Sequence, residues 1–131
     1  MDAVHTFPKT ERLCSRKAIE ALFAGGNRSF SAFPLRVVYK AMPDTATQVM
    51  LSVSKRHFKH AVDRNRTKRQ IREAWRLNRD ILLEDGDPGL HIAFIWLADE
   101  LQPSDLIHRK MKNLLHRVKE ARGEGLRGLR V

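Results

Sequence analysis

Residues 51–76 read LSVSKRHFKHAVDRNRTKRQIREAWR, and the hydrophobic period changes part-way along. Val49, Leu51 and Val53 alternate with Met50, Ser52 and Ser54, the period of two of a half-buried strand. From residue 64 the period is helical. At 100° per residue from Arg64, residues Thr67, Ile71, Ala74, Trp75, Asn78, Ile81 and Leu82 fall within about 260° to 20°. Arg64, Asn65, Lys68, Arg69, Arg72, Arg76 and Arg79 fall within about 0° to 140°, and Arg66 lies off both stripes at about 200°. One stripe suits a core and the stripe beside it is almost wholly cationic. Ala61 and Val62 fall on the wrong side of this wheel. The expectation is therefore a helix starting near Asp63 as N-cap, after a bend over residues 55–62.

Working outward, Leu35, Val37 and Tyr39 alternate with Arg36, Val38 and Lys40 as a strand, with residues 41–48 as a hairpin connection to the next one. Asn27 to Phe33 suggests a further short strand. Upstream, Ala18, Ile19, Leu22 and Phe23 have helical spacing, with Ser15 as N-cap and Gly25 as stop. Downstream, LHIAFIWL at 90–97 is a continuous apolar run, read as a buried strand. Leu106, Ile107, Lys110, Leu114, Leu115 and Val118 form the seam of a last helix starting near Pro103 and Ser104, and from Gly123 onward a frayed basic tail is expected. The order helix, two or three strands, long helix, strand, helix is α+β, with a small sheet and helices mainly on one face.

The chain has 131 residues and a formal charge of +10, enough for one domain with its own core. The longest uncharged apolar stretch, Leu90 to Ala98, is too short to span a bilayer. The first residues, MDAVHTFPKTER, lack the apolar segment of a secretory signal. With Cys14 the only cysteine, a disulfide framework and a multi-cysteine zinc site are excluded. These features point to the cytoplasm, where nucleic acid is the commonest partner of so basic a small protein.

The charge is partitioned. Residues 54–79 carry ten Lys+Arg against two Asp+Glu, residues 80–108 carry none against seven, and residues 109–131 carry eight against two. A phosphate-binding face explains one concentrated basic segment better than general solvation does. Helical turns rise about 5.4 Å, so successive cations can meet successive phosphates.

The string Ser52-Val53-Ser54-Lys55-Arg56, then Ala61-Val62, Arg64-Asn65-Arg66-x-Lys68-Arg69 and Ile71-Arg72-Glu73 resembles the RNR signature of the bacterial ribonuclease P protein subunit. The likeness extends over about residues 8 to 120. It implies an αβββαβα fold with a central mixed sheet and a left-handed βαβ crossover, as in the second domain of ribosomal protein S5. It divides the chain into an N-terminal extension 1–12, a domain 13–122 and a basic tail 123–131. It further implies that the protein binds the catalytic RNA and the 5′ leader of precursor tRNA. The RNA performs the endonucleolytic hydrolysis with Mg2+, so the protein has no catalytic residues and holds no metal or other cofactor by itself.

Carried over onto this sequence, the RNA-binding set is Lys55, Arg56, Arg64, Asn65, Arg66, Lys68, Arg69 and Arg72, which the cationic stripe extends to Arg76. The leader-binding set is Ile19, Phe23, Leu35 and Val37. Ile19 stands where the family often has Phe, Val37 where an aromatic is frequent, and a glycine often found before Ala61-Val62 is absent.

Other residues read as structural. Trp75 and Trp96 suit a core, Cys14 a semi-buried position, and Gly25-Gly26 a helix stop. His57, His60, His108 and His116 read as surface groups without metal-ligand spacing. Glu84, Asp85 and Asp87 read as a solvated loop turned away from RNA. The alternative is a structural RNA-binding protein of ribosomal type with no role in tRNA processing. A DNA regulator that lays a helix in the major groove fits less well, because a strand and not a second helix precedes residue 64. No membrane or DNA partner is expected.

Overall fold

The computed structural model describes residues 11–83 and 88–129, with side chains through Arg122. The elements are α1 (Arg16–Ala24), β1 (Arg28–Ala32), β2 (Leu35–Ala41), β3 (Gln48–Ser52), α2 (Ala61–Asn78) followed by a 3-10 turn (Arg79–Ile81), β4 (Leu90–Trp96) and α3 (Ser104–Leu129). The αβββαβα order is the expected one. The four strands form one mixed sheet in the order β1-β2-β4-β3.

The connection at 41–48 is not a hairpin. β4 lies between β2 and β3, antiparallel to β2 (Val37 opposite Phe94) and parallel to β3 (Leu51 opposite Phe94). The reason is composition. Leu90–Trp96 is apolar toward both faces and nearly all buried, so it takes the centre, while β3 is only partly buried and takes an edge. The tight hairpin is instead β1–β2, which turns at the cis Phe33-Pro34 peptide.

Alternation assigns strand neighbours to opposite faces. On one face, Leu35, Val37 and Tyr39, Val49, and Ile92, Phe94 and Trp96 meet Ile71, Ala74 and Trp75 of α2 and Ile107, Met111, Leu114, Leu115 and Val118 of α3. Each large side chain fully buried there contributes about 1.5–3 kcal/mol. Both tryptophans belong to this core, as expected. On the other face, Val38 and Ala93 pack with Leu13 and Leu22, flanked by Ala18, Ile19, Met50 and Ile95, so that α1 covers part of the sheet.

α1 starts and stops as its sequence predicts. Ser15 Oγ accepts the Ala18 N–H at 3.3 Å, and Gly26 adopts φ +72°, a left-handed conformation that side chains disfavour. α2 begins at Ala61, with His60 in the cap position and Asp63 in the first turn. The two residues that fell off the wheel simply face solvent, Val62 with 75% of its surface exposed. α3 runs on through Gly123 and Gly125 to Leu129, where a frayed tail was expected.

Glu11 and Arg12, assigned by sequence to the extension, are tied to the domain. Arg12 bridges Val49 and the Leu13 N–H donates to Val49 O at 2.8 Å, which partly covers the β3 edge. Cys14 is exposed rather than semi-buried. Residues 1–10 and the acidic loop residues Glu84, Asp85 and Asp87 lie outside the described residues.

Candidate nucleic-acid interface

Between β3 and α2, buried Val53 and Phe58 anchor the connecting loop, Phe58 against Trp96 with ring centroids 6.2 Å apart. The exposed residues of this loop include Lys55, Arg56 and Lys59. Ser54 Oγ accepts the Arg56 N–H at 3.1 Å, and His57 Nδ1 lies 2.7 Å from Asp99 Oδ1. Arg64 closes the loop from the helix side. Its Nη1 donates to Phe58 O at 2.8 Å and to Lys59 O at 3.0 Å. A residue expected to touch RNA thus also fixes the loop that displays Lys55, Arg56 and Lys59.

Along α2 the core stripe is Thr67, Ile71, Ala74, Trp75 and Asn78, all read from the sequence. Asn65, Arg66, Arg69 and Arg72 are exposed and Lys68 is half-buried. The cations are not equivalent. Glu73 pairs with Arg76, whose Nε donates to Glu73 Oε2 at 2.9 Å. Glu11 pairs with Arg79. Lys55, Arg56, Lys59, Arg66, Lys68, Arg69 and Arg72 have no ion-pair partner among the described residues. The uncompensated charge is therefore concentrated in the loop and the first three turns of α2, and it declines toward Arg76 and Arg79.

Lys68 and Arg72 also line a cleft of about 260 Å³ with Arg12, Leu13, Val49, Met50 and Leu51. This cleft joins the cationic helix to the edge of the sheet.

The leader-binding set does not come together as expected. Ile19 and Phe23 lie on α1, with Ile19 half-buried at the Val38–Ala93 cluster and Phe23 45% exposed. Leu35 and Val37 are fully buried on the opposite face of the sheet, in the core beneath α2 and α3. Residues Val37, Val38 and Tyr39 are apolar in succession, so alternation alone did not say which face meets α1. On the α1 face β2 presents Arg36, Val38 and Lys40, and Arg36 Nη2 donates to Ser29 Oγ at 3.4 Å. Arg12, Arg36 and Lys59 are the cations that sequence reading missed. For Arg36 the signal was its place in the alternation, and for Lys59 its place in the basic loop.

The histidines are not equivalent surface groups. His57 pairs with Asp99, and His108 Nδ1 lies 3.2 Å from Asn78 Nδ2 across the α2–α3 contact, while His60 and His116 are exposed. His91, within the apolar β4 run, is buried, and its Nε2 has no partner among the described residues. Burial, and then the positive charge of Lys40, lower its pKa from the ordinary 6.5. No three His, Cys, Asp or Glu side chains among the described residues could hold a metal ion. None of the described helices is long and apolar enough to cross a membrane.

Residues 7–119 match the family model described as Ribonuclease P. The chain is 38% identical over 116 residues to the ribonuclease P protein component of Porphyromonas gingivalis, covering 84% of each chain. It is 33% identical over 132 residues to that of Chlorobium phaeobacteroides, covering 88% of this chain and 90% of the other. The fold is similar to the solved ribonuclease P proteins of Staphylococcus aureus (TM-score 0.68, 20% identity, 83% of this chain and 95% of that one) and Thermotoga maritima (TM-score 0.68, 23% identity, 82% and 96%). With its RNR helix, its mixed sheet and these relatives, the chain belongs to the ribonuclease P protein family, the protein component of the holoenzyme that processes tRNA.

Proposed function

We propose that the loop and first turns of α2 dock on the catalytic RNA, and that the groove between α1 and the sheet receives the 5′ leader of precursor tRNA. The observation that carries the first part is the row Lys55, Arg56, Lys59, Lys68, Arg69 and Arg72, none with an ion-pair partner among the described residues. Partnerless cations on a rigid helix release counterions when phosphates replace them, with little ordering cost. Lys68 and Arg72 are four residues apart, about 6 Å along the axis. They face the cleft that also holds Arg12, so one RNA backbone can pass from the helix onto the sheet edge.

The leader groove, in this reading, is lined by Ile19 and Phe23 of α1 and by Arg36 of β2, with buried Val38 packed beneath them. It offers one exposed aromatic for stacking and one guanidinium for phosphate, and so grips a single strand with little sequence reading. The protein holds the two RNAs in register, and this positioning favours cleavage by the RNA. In this reading the Mg2+ ions are held by the RNA. The setting is the cytoplasm.

The test is binding of the catalytic RNA by the double variant Lys68→Gln/Arg72→Gln, compared with Arg109→Gln/Lys112→Gln on the exposed side of α3. The first pair should weaken binding and flatten its salt dependence by about 1.5–2 in the log–log slope. The second should do neither. Equal effects from both pairs would reduce the α2 row to general charge attraction.

A further inference from the structure

The loop between β3 and α2 is held in two halves. Phe58 is buried against Trp96, and the carbonyls of Phe58 and Lys59 accept the Arg64 guanidinium. These ties fix the half that leads into α2. The other half starts at exposed Ser54 and carries Lys55 and Arg56. Its backbone bonds are local. Ser54 O accepts the N–H groups of His57 at 3.1 Å and Phe58 at 3.4 Å, and Ser54 Oγ accepts the Arg56 N–H at 3.1 Å. Among the described residues, His57 supplies the hydrogen bond from this half to another element. Its Nδ1 lies 2.7 Å from Asp99 Oδ1, a residue 42 positions away.

Asp99 is placed as an anchor. It follows the central strand β4, and the chain just before it is fixed, because the Leu97 N–H donates to Pro34 O at 2.8 Å and Ala98 is buried. His57 and Phe58, adjacent in sequence, are thus tied to the same end of β4, at Asp99 and at Trp96. The His57 side chain is 12% exposed and the Asp99 side chain 80%. A carboxylate accepts and does not donate, so the proton of this bond sits on Nδ1, which sets the orientation of the ring.

Neither folding nor charge accounts for this pair. An ion pair with one partner so exposed adds little to stability. A carboxylate beside a loop that meets phosphates repels them. Yet beside Lys55, Arg56 and Lys59, Asp99 bonds the imidazole and leaves all three cations without an ion-pair partner among the described residues. It orders the loop without cancelling the charge that the loop displays.

We infer that Asp99 is a positioning residue for RNA docking, acting through His57 to hold Lys55 and Arg56 in one geometry. Asp99 itself need not touch the RNA. Ordering the two cations before the RNA arrives lowers the entropy cost of docking them. This role follows from the reading that the loop docks on the catalytic RNA.

Removing Asp99 distinguishes a positioning residue from a bystander by the sign of the effect. Loss of a bystander carboxylate would tighten RNA binding or leave it unchanged. Asp99→Ala should instead weaken binding of the catalytic RNA about 3- to 10-fold, the scale of one net hydrogen bond, although the protein becomes more positive. Asp99→Asn keeps an acceptor for the Nδ1 proton and should bind as tightly as the parent or tighter. Glu100→Gln, which removes the adjacent exposed carboxylate, should not weaken binding. Filter binding of the full-length proteins at one salt concentration measures this, and melting by circular dichroism shows that each variant is folded. Long-range 1H–15N spectra in alkaline solution locate the proton of the neutral ring. The His57 signal, identified by its absence from His57→Gln, should show the proton on Nδ1 in the parent and mainly on Nε2 in Asp99→Ala. Lys55→Gln/Arg56→Gln is the reference. If that variant binds RNA like the parent, the docking reading of the loop fails and this role fails with it. If it binds weakly while Asp99→Ala binds as tightly as the parent or tighter, the positioning role is overturned and the docking reading stands. The role is also overturned by a loss in Asp99→Asn or Glu100→Gln equal to that in Asp99→Ala, or by a parent His57 protonated on Nε2.

Discussion

Replacing Arg64 and Arg69 separately by glutamine should separate two roles that the sequence presents as one cationic row. Arg64 gives two hydrogen bonds to backbone carbonyls, at 2.8 and 3.0 Å, and so closes the loop over residues 55–60. Bonds from a charged donor are worth about 1.5–3 kcal/mol each when buried. The Arg64 side chain is half-buried, so about 2 kcal/mol for the pair is a reasonable sum after solvent screening. For a domain of this size that corresponds to a fall in melting temperature of about 6–10 °C. Arg69 is exposed and makes no such bonds among the described residues; its replacement should change stability by less than about 0.5 kcal/mol.

Toward the catalytic RNA the order changes. Arg69→Gln should weaken binding by about 1–3 kcal/mol and flatten the salt slope by about 0.7–0.9, one phosphate contact. Arg64→Gln should weaken it at least as much, because the released loop no longer presents Lys55, Arg56 and Lys59 in one geometry. Thermal melts by circular dichroism and filter-binding isotherms at four salt concentrations measure both quantities. A melting temperature for Arg64→Gln equal to the parent's would refute the loop-closing role. An unchanged salt slope for Arg69→Gln would refute its phosphate contact.

Phe23→Ala should weaken holoenzyme binding of leader-bearing precursor tRNA by at most about 1–3 kcal/mol and leave mature tRNA unaffected. Phe23 is half exposed, so the melting temperature should fall far less than the 3–5 kcal/mol of a full core truncation would require; equal losses on both substrates with a large drop in melting temperature would make Phe23 simply packing. Leu35→Ala and Val37→Ala should behave in the opposite way, lowering stability with no leader-specific effect in the same assay. Tyr39→Phe should raise the melting temperature of the free protein by a few degrees, because it removes a buried hydroxyl with no partner among the described residues; a decrease would show that the hydroxyl is satisfied in solution. Acidification should destabilise the fold through His91. The unfolded imidazole takes up a proton near its ordinary pKa of 6.5 while the buried one resists, so stability present above that pH is lost as pH falls below it. His91→Gln should flatten the melting-temperature profile between about pH 7 and pH 5, and an unchanged profile would refute this assignment.

The sequence disclosed most where a period was long and one-sided. The stripe from Thr67 to Asn78 spans several turns and carries cations beside it, so both the buried and the cationic sides of α2 were legible. Single strands were legible too, but their partners were not. Pairing depends on burial toward both faces, and only the Leu90–Trp96 run shows that along a whole strand. The same gap misplaced Leu35 and Val37, because Val37-Val38-Tyr39 is apolar on both faces and only contact with α1 singles out Val38. The pairings of Arg76 with Glu73 and of Arg79 with Glu11 were also hidden, the second because it joins residues 68 positions apart. The start of α2 and the end of α3 were the least legible, since exposed Val62 and the glycines near the end of α3 carry local signals that the continuing helix overrides.

Reconstitution tests the central claim most directly. The purified chain is mixed with a bacterial ribonuclease P RNA and precursor tRNA at a Mg2+ concentration too low for the RNA alone, and 5′ cleavage is followed on a gel. The account predicts cleavage at the mature 5′ end with both components, none with the protein alone, and a marked loss with the Lys68→Gln/Arg72→Gln protein. Cleavage by the protein alone, or full activity from that variant, would contradict it.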